Sequence, residues 1–246
     1  MNGSPGAADL VRLWPPSRAP ASTRVTALLV ALHGDGVRRS PLGVHHQRML
    51  RLHGQIGGRA LDAVVTCARC STENEFAVPI GAICAVPEPA TDAEVALAVG
   101  VALVRYRLPT LSDLAAISGM SVPEGLASLA ARTCLDDEAP ELADGDIGRL
   151  AEAWEELDPA AAVQVDLVCA ECRADVVADV AVAEFVADEL DRTVDGLVHQ
   201  VDVVARAYGW SEDAILALPA QRRRRYVELI EQRGDPSAFP LAAVGS

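Results

Sequence analysis

The chain has 246 residues, a mass of 25.9 kDa and a formal net charge of −14, with half its residues hydrophobic and 23% charged. That apolar content can bury a core, which excludes a wholly disordered protein, and the length allows one large domain or two small ones. The acidity argues against nucleic acid as the main partner, because a polyanion is repelled by a surface of its own sign.

All 21 basic residues are arginine. The charge is unevenly spread: residues 1–70 carry +6, residues 71–200 carry −20 and residues 201–246 carry zero. A basic front and an acidic middle either attract each other or present two surfaces to partners. No apolar run reaches the roughly 18–20 residues that cross a bilayer. Met1 to Ser22 lacks a basic start followed by an apolar stretch, so a cytoplasmic protein with reduced thiols is expected.

In chain order, residues 1–22 hold Gly, Pro, Ser and Ala and read as a disordered arm with a local anchor at Trp14. A segment 23–85 follows. It opens with a helix over 23–33, capped by Ser22 or Thr23 and broken at Gly34 to Gly36. A second helix is predicted over 44–54. A strand from Leu61 to Cys67 then turns through CARC into a strand from Glu75 to Ile80. The central segment 86–158 starts with a Pro-rich connector. Residues 93–108 suggest strands with a hairpin at Gly100, with a helix as the alternative their alanine content leaves open. Thr110 or Ser112 caps a helix to Ile117, and Pro123 opens another to 132. An acidic loop covers 136–146, and a helix runs over 146–157.

Segment 159–233 repeats the strand–turn–strand pattern, from Val163 through CAEC to about Val180. Phe185, Leu190, Val194, Leu197, Val201, Val204 and Tyr208 then mark one face of a long amphipathic helix. Gly209 ends it, Ser211 caps a short helix, and Pro219 opens a last one through Ile230. Residues 234–246 read as a loose tail. The fold class expected is α+β: two zinc-ribbon-like CxxC hairpin knuckles with a small sheet, then a long helix and a C-terminal helical pair. The halves are expected to meet at the knuckles as one composite unit.

The strongest pattern is the duplication itself. LDAVVTCARC (61–70) and VQVDLVCAEC (163–172) stand 102 residues apart, each between strand-like runs. A tight turn between strands aims two thiols at one point, and two such turns supply the four thiolates of tetrahedral zinc. One shared zinc site from Cys67, Cys70, Cys169 and Cys172 is therefore expected. Redox-active dithiols and an empty thiol cluster are the competing readings, although a redox CxxC usually sits at a helix N-terminus. Cys84 and Cys134 have no partner at ligand spacing and read as small buried residues.

The run ARAYGWSEDAILALPAQRRRRYVELI (205–230) resembles the signature of the T-even-type phage baseplate hub assembly chaperones, whose relatives occur with contractile injection systems. RALDAVVTCARC (59–70) and VDLVCAEC (165–172) resemble the family's two cysteine knuckles. YRLPTLSDLAA (106–116) resembles its central Arg-Leu-Pro-Thr element. Ala68 and Ala170 stand where the family carries Pro, and Ser71 and Arg173 where it carries Gly, which makes a positive-φ turn costlier. The resemblance implies a non-enzymatic assembly factor for the hub or spike of a contractile particle. Its partner would be a hub, spike or tape-measure protein, with no membrane. A structural baseplate component is the alternative within that reading. A zinc-ribbon nucleic-acid-binding regulator and a thiol redox enzyme are the readings outside it.

The partner-contacting candidates are Arg107, Pro109, Tyr208, Trp210, Arg222, Arg225 and Tyr226. Arg222 to Arg225 span just over one helical turn and form a solvated face, with pairing to acids such as Glu228. Tyr226, Leu229 and Ile230 point inward, and Tyr208 and Trp210 are core anchors. Arg105 and Arg107 face solvent or pair with the acidic middle. His33, His45, His46 and His53 read as surface residues. No nucleophile elbow, phosphate loop, zinc-protease helix or dinucleotide fingerprint is present, so no enzyme is expected.

Overall fold

A computed structural model describes residues 5–14, 18–137 and 139–234. Helices and small antiparallel sheets alternate along it, as the α+β expectation has it. The chain divides into two compact units, Ala19–Ala187 and a second joining Asn2–Arg18 to Asp188–Ser246. This division replaces the single composite unit expected, and both CxxC turns fall inside the first unit.

The first unit opens with α2 (Ala21–His33) and α3 (Leu42–Gln55), joined by a 3-10 turn over Asp35–Arg39. Val25, Leu28 and Leu29 of α2, and Met49, Leu50 and Leu52 of α3, are buried. These apolar residues form the core side of both helices. Asp158 reaches this layer from 115 residues away. Its Oδ2 accepts the Gly43 N–H at 2.8 Å, capping the first turn of α3. Only glycine fits there, because a Cβ on Gly43 would lie 1.9 Å from Asp158 Oδ1.

Three hairpins follow, and each is its own two-stranded sheet. β1 (Ala60–Thr66) pairs with β2 (Glu73–Pro79). A short α4 (Ile80–Cys84) leads to β3 (Glu94–Val99) and β4 (Ala102–Arg107), which turn at Gly100 as expected. β5 (Gln164–Val168) pairs with β6 (Asp175–Asp179). The β3–β4 hairpin carries a core of its own. Val95, Leu97, Val104 and Tyr106 pack with Leu108 and with residues of α6 (Val122–Thr133) and α7 (Asp144–Leu157), including Leu129, Leu150 and Trp154.

Between them, α5 (Leu111–Ile117) starts at a capping box, with the Thr110 hydroxyl and N–H both donating to Asp113 Oδ2. Asp113 is buried, and the Arg107 guanidinium grips both its oxygens, at 2.6 and 2.9 Å. Arg132 adds a third charge at 3.4 Å. Arg105 stays at the surface and pairs with Asp136 of the acidic loop at 3.1 Å.

The second unit contains α1 (Ala7–Leu13), which corrects the expectation of a disordered arm. Leu10 and Trp14 are buried, and the Trp14 indole N–H donates to Asp191 at 2.7 Å. α8 (Val182–Tyr208) begins in the first unit and runs into the second as one helix. Val186, Leu190, Leu197 and Val204 line its buried stripe. Gly209, at φ +69°, ends it in the left-handed turn the sequence predicts. Ser211 caps α9 (Glu212–Leu216), and α10 (Ala220–Gly234) closes the described chain. The expected tail beyond it, and parts of the N-terminal arm, lie outside the described residues.

Two groups of residues depart from their expected exposure. His45 and His53 are buried, not at the surface. His45 Nε2 lies 3.3 Å from the Thr26 hydroxyl, and His53 meets the Phe185 ring edge-on at 5.4 Å. Trp210 is 37% exposed, so it is not a core anchor.

Candidate metal centre

The two CxxC turns are built alike, 102 residues apart. In the first, Cys67 N–H donates to Thr72 O at 2.9 Å and Ser71 N–H to Cys67 O at 2.8 Å. In the second, Cys169 N–H donates to Ala174 O at 2.9 Å and Arg173 N–H to Cys169 O at 3.1 Å. Ser71 and Arg173 both take φ +60°, so the left-handed turn forms at both positions without glycine.

The turns approach each other head to tail. Cys67 Sγ lies 3.7 Å from Cys172 Sγ, and Cys70 Sγ lies 3.6 Å from Cys169 Sγ. All four sulfurs lie within 4.8 Å of one another. None is in a disulfide. Cys67 and Cys169 are buried, while Cys70 and Cys172 reach the surface in part. The spacing has a definite chemical meaning. Four sulfurs at about 2.3 Å from a tetrahedral zinc are about 3.8 Å apart, close to the two short cross-hairpin distances. A disulfide needs about 2.05 Å instead.

The thiols are also electrostatically poised. N–H groups of Cys172 and Glu171 aimed at the Cys169 sulfur hold that thiol down to about 6, against the opposing effect of burial. The Thr72 hydroxyl and N–H lower Cys70. At Cys172 the Ala174 N–H also lowers the thiol. Burial and the neighbouring sulfurs outweigh it and push the thiol up to about 11. Four sulfurs this close cannot all ionise unaided, and a divalent cation at their centre removes that conflict.

Asn74 is the residue that sequence reasoning missed. It is buried on β2, its Nδ2 donates to Thr72 O at 3.0 Å, and its Oδ1 accepts the Ala170 N–H at 2.9 Å. It thus ties the first hairpin to the turn of the second. Its one sequence signal is an amide at an inward-facing position of an alternating strand.

The partner-contacting candidates separate by location. Pro109 is buried, and its carbonyl accepts the Leu42 N–H at 3.2 Å. Arg107 is committed to Asp113, so the Arg-Leu-Pro-Thr element supports the interior of the first unit rather than offering a free surface. Tyr208, Trp210 and Tyr226 form a partly exposed aromatic cluster in the second unit. Arg222 and Arg225 are exposed, and Arg225 pairs with Glu228 at 3.1 Å as the spacing suggests.

Comparison of the chain with protein-family models, with curated proteins and with solved structures finds no match. No helix among the described residues is long and apolar enough to cross a membrane.

Proposed function

We propose that Cys67, Cys70, Cys169 and Cys172 hold one structural zinc ion, and that the chain is a non-enzymatic assembly factor for the hub or spike of a contractile tail or injection system. The four-sulfur geometry supports the first statement. An all-thiolate set leaves zinc no open position for substrate, which fits a structural ion that joins the hairpins. The resemblance of residues 205–230 to the hub assembly chaperones supports the second, together with the matching elements at 59–70, 106–116 and 165–172.

The reading is tested by deleting the gene from a strain that makes the particle. The expected outcome is that sheath and tube proteins are expressed but particles do not assemble. Affinity-purified protein from lysate should carry hub or spike proteins, while mature particles lack it. Normal particles in the deletion strain would contradict the assembly role.

A further inference from the structure

The end of α8, the Gly209 turn and α10 build a surface that the metal centre does not use. Tyr208 and Trp210 stack with ring centroids 5.2 Å apart and planes 27° apart. Tyr226 meets both edge-on, at 5.7 and 5.1 Å. Trp210 is exposed, and both tyrosines are half-buried. On α10, positions 222, 226, 229 and 233 fall on one stripe at helical spacing, which reads Arg222, Tyr226, Leu229 and Arg233. Arg222 lies 5.9 Å over the Tyr226 ring, and Arg233 reaches the Tyr208 hydroxyl at 3.4 Å. Both arginines are exposed, and neither has a carboxylate partner among the described residues.

The neighbouring arginines show that this arrangement is selective. Arg223 is buried and spends its donors on Gln200 Oε1 and the Leu216 and Leu218 carbonyls at the end of α9. Arg225 is neutralised by Glu228. Arg224 is exposed as well, but Arg222 and Arg233 are the two unpaired arginines that touch the rings. Exposed Trp and Tyr beside unpaired Arg is the composition of a binding hot spot.

We propose that this aromatic cluster, bracketed by Arg222 and Arg233, is the docking site for a partner-protein segment whose carboxylates flank an aromatic side chain. The partner ring stacks on Trp210, and its carboxylates pair with the two guanidinium groups, Arg being suited to bidentate pairing. The inference deepens the assembly-factor reading and rests on it for the partner being a protein. Single-stranded nucleic acid is the rival occupant, since bases also stack on aromatic rings and phosphates also pair with arginine. A single-strand groove tracks the phosphate backbone with a net positive surface, whereas residues 201–246 carry no net charge.

The test uses the full chain and a fluorescent random copolymer of glutamate and tyrosine, read by anisotropy. Saturable binding is expected, weakened about tenfold or more by Trp210→Ala and by the double reversal Arg222→Glu/Arg233→Glu. Polyglutamate, which has the charge without the ring, is expected to bind more weakly. If Trp210→Ala fails to fold, the surface double variant carries the test. No binding, equal binding by the folded variants, or preference for oligothymidine would overturn the proposal. Its failure would leave the deletion phenotype as it is. Normal particles in the deletion strain would sink the assembly role without touching this binding.

Discussion

Ser71 and Arg173 each hold a left-handed backbone just after the second cysteine of their turn. That conformation costs a non-glycine residue about 1–2 kcal/mol. Ser71→Gly and Arg173→Gly are therefore expected to stabilise the metal-loaded protein by about 0.5–1 kcal/mol each, after the flexibility that glycine adds to the unfolded chain. Denaturant unfolding of each variant checks this, and destabilisation would mean that the side chains themselves hold the turn. Two buried titratable groups set the response to acid. Burial, with His46 and Arg48 adding to it, pulls His45 from 6.5 down to about 3. A lowered pKa contributes stability above the unfolded value that is lost as pH falls, here between about 6.5 and 3. At Asp113 burial acts upward, but the Arg107 and Thr110 hydrogen bonds prevail and hold it at about 2. Its contribution has the same sign and is lost between about pH 4 and pH 2. Asp158 is the opposite case: burial raises its pKa, so its share is present at low pH and lost as pH rises. Urea unfolding across this range should show stability falling from about pH 6.5 downward. Asp113→Asn is expected to cost about 2 kcal/mol at neutral pH and to flatten the lower part of the slope. An unchanged slope in that variant would remove Asp113 from the account.

Elements with a repeating signal were legible in the sequence, and elements held by distant partners were not. The three hairpins and the long α8 could be read from alternation and from helical periodicity, because burial on one face writes that pattern into the chain. The four-cysteine cluster was legible because the two CxxC turns repeat in the same context. α1 was missed because it is short and its anchors, buried Leu10 and the Trp14–Asp191 bond, are tertiary. The burial of His45 and His53 was missed for a related reason. Both lie on the inward side of α3, where a polar ring packs as part of the core. The junction of α9 and α10 gives a contrast within one run of arginines. Arg223→Ala removes the donors that satisfy the Leu216 and Leu218 carbonyls and the bond to Gln200. It is expected to cost about 2–3 kcal/mol. Trp210→Ala removes an exposed ring and is expected to cost only about 1–2 kcal/mol. Thermal unfolding of both variants checks the order, and a larger loss at Trp210 would place that ring in the core after all.

At the scale of the whole molecule, the charge pattern is sorted by structure into different tasks. The acidic middle contributes Asp113 and Asp158 to the interior and Asp136 to a surface pair. Arg51, Arg105, Arg107 and Arg149 pair with acids within the first unit, while α10 keeps Arg222 and Arg233 at a surface. The division into two units was not legible, because α8 carries one unbroken apolar stripe from the first into the second. Within the first unit, the account rests on one joint: two hairpins 102 residues apart share four sulfurs. A shared ion makes metal binding part of folding, whereas separate CxxC sites or a bare thiol cluster would not couple the hairpins. The most direct measurement is the metal and thiol content of anaerobically purified protein, beside Cys169→Ser. One zinc per chain is expected, with four thiols protected until a chelator is added, and loss of the metal with a lowered melting temperature in the variant. Zinc-free protein with four reactive thiols, or a Cys169→Ser protein with unchanged metal and melting temperature, would contradict it.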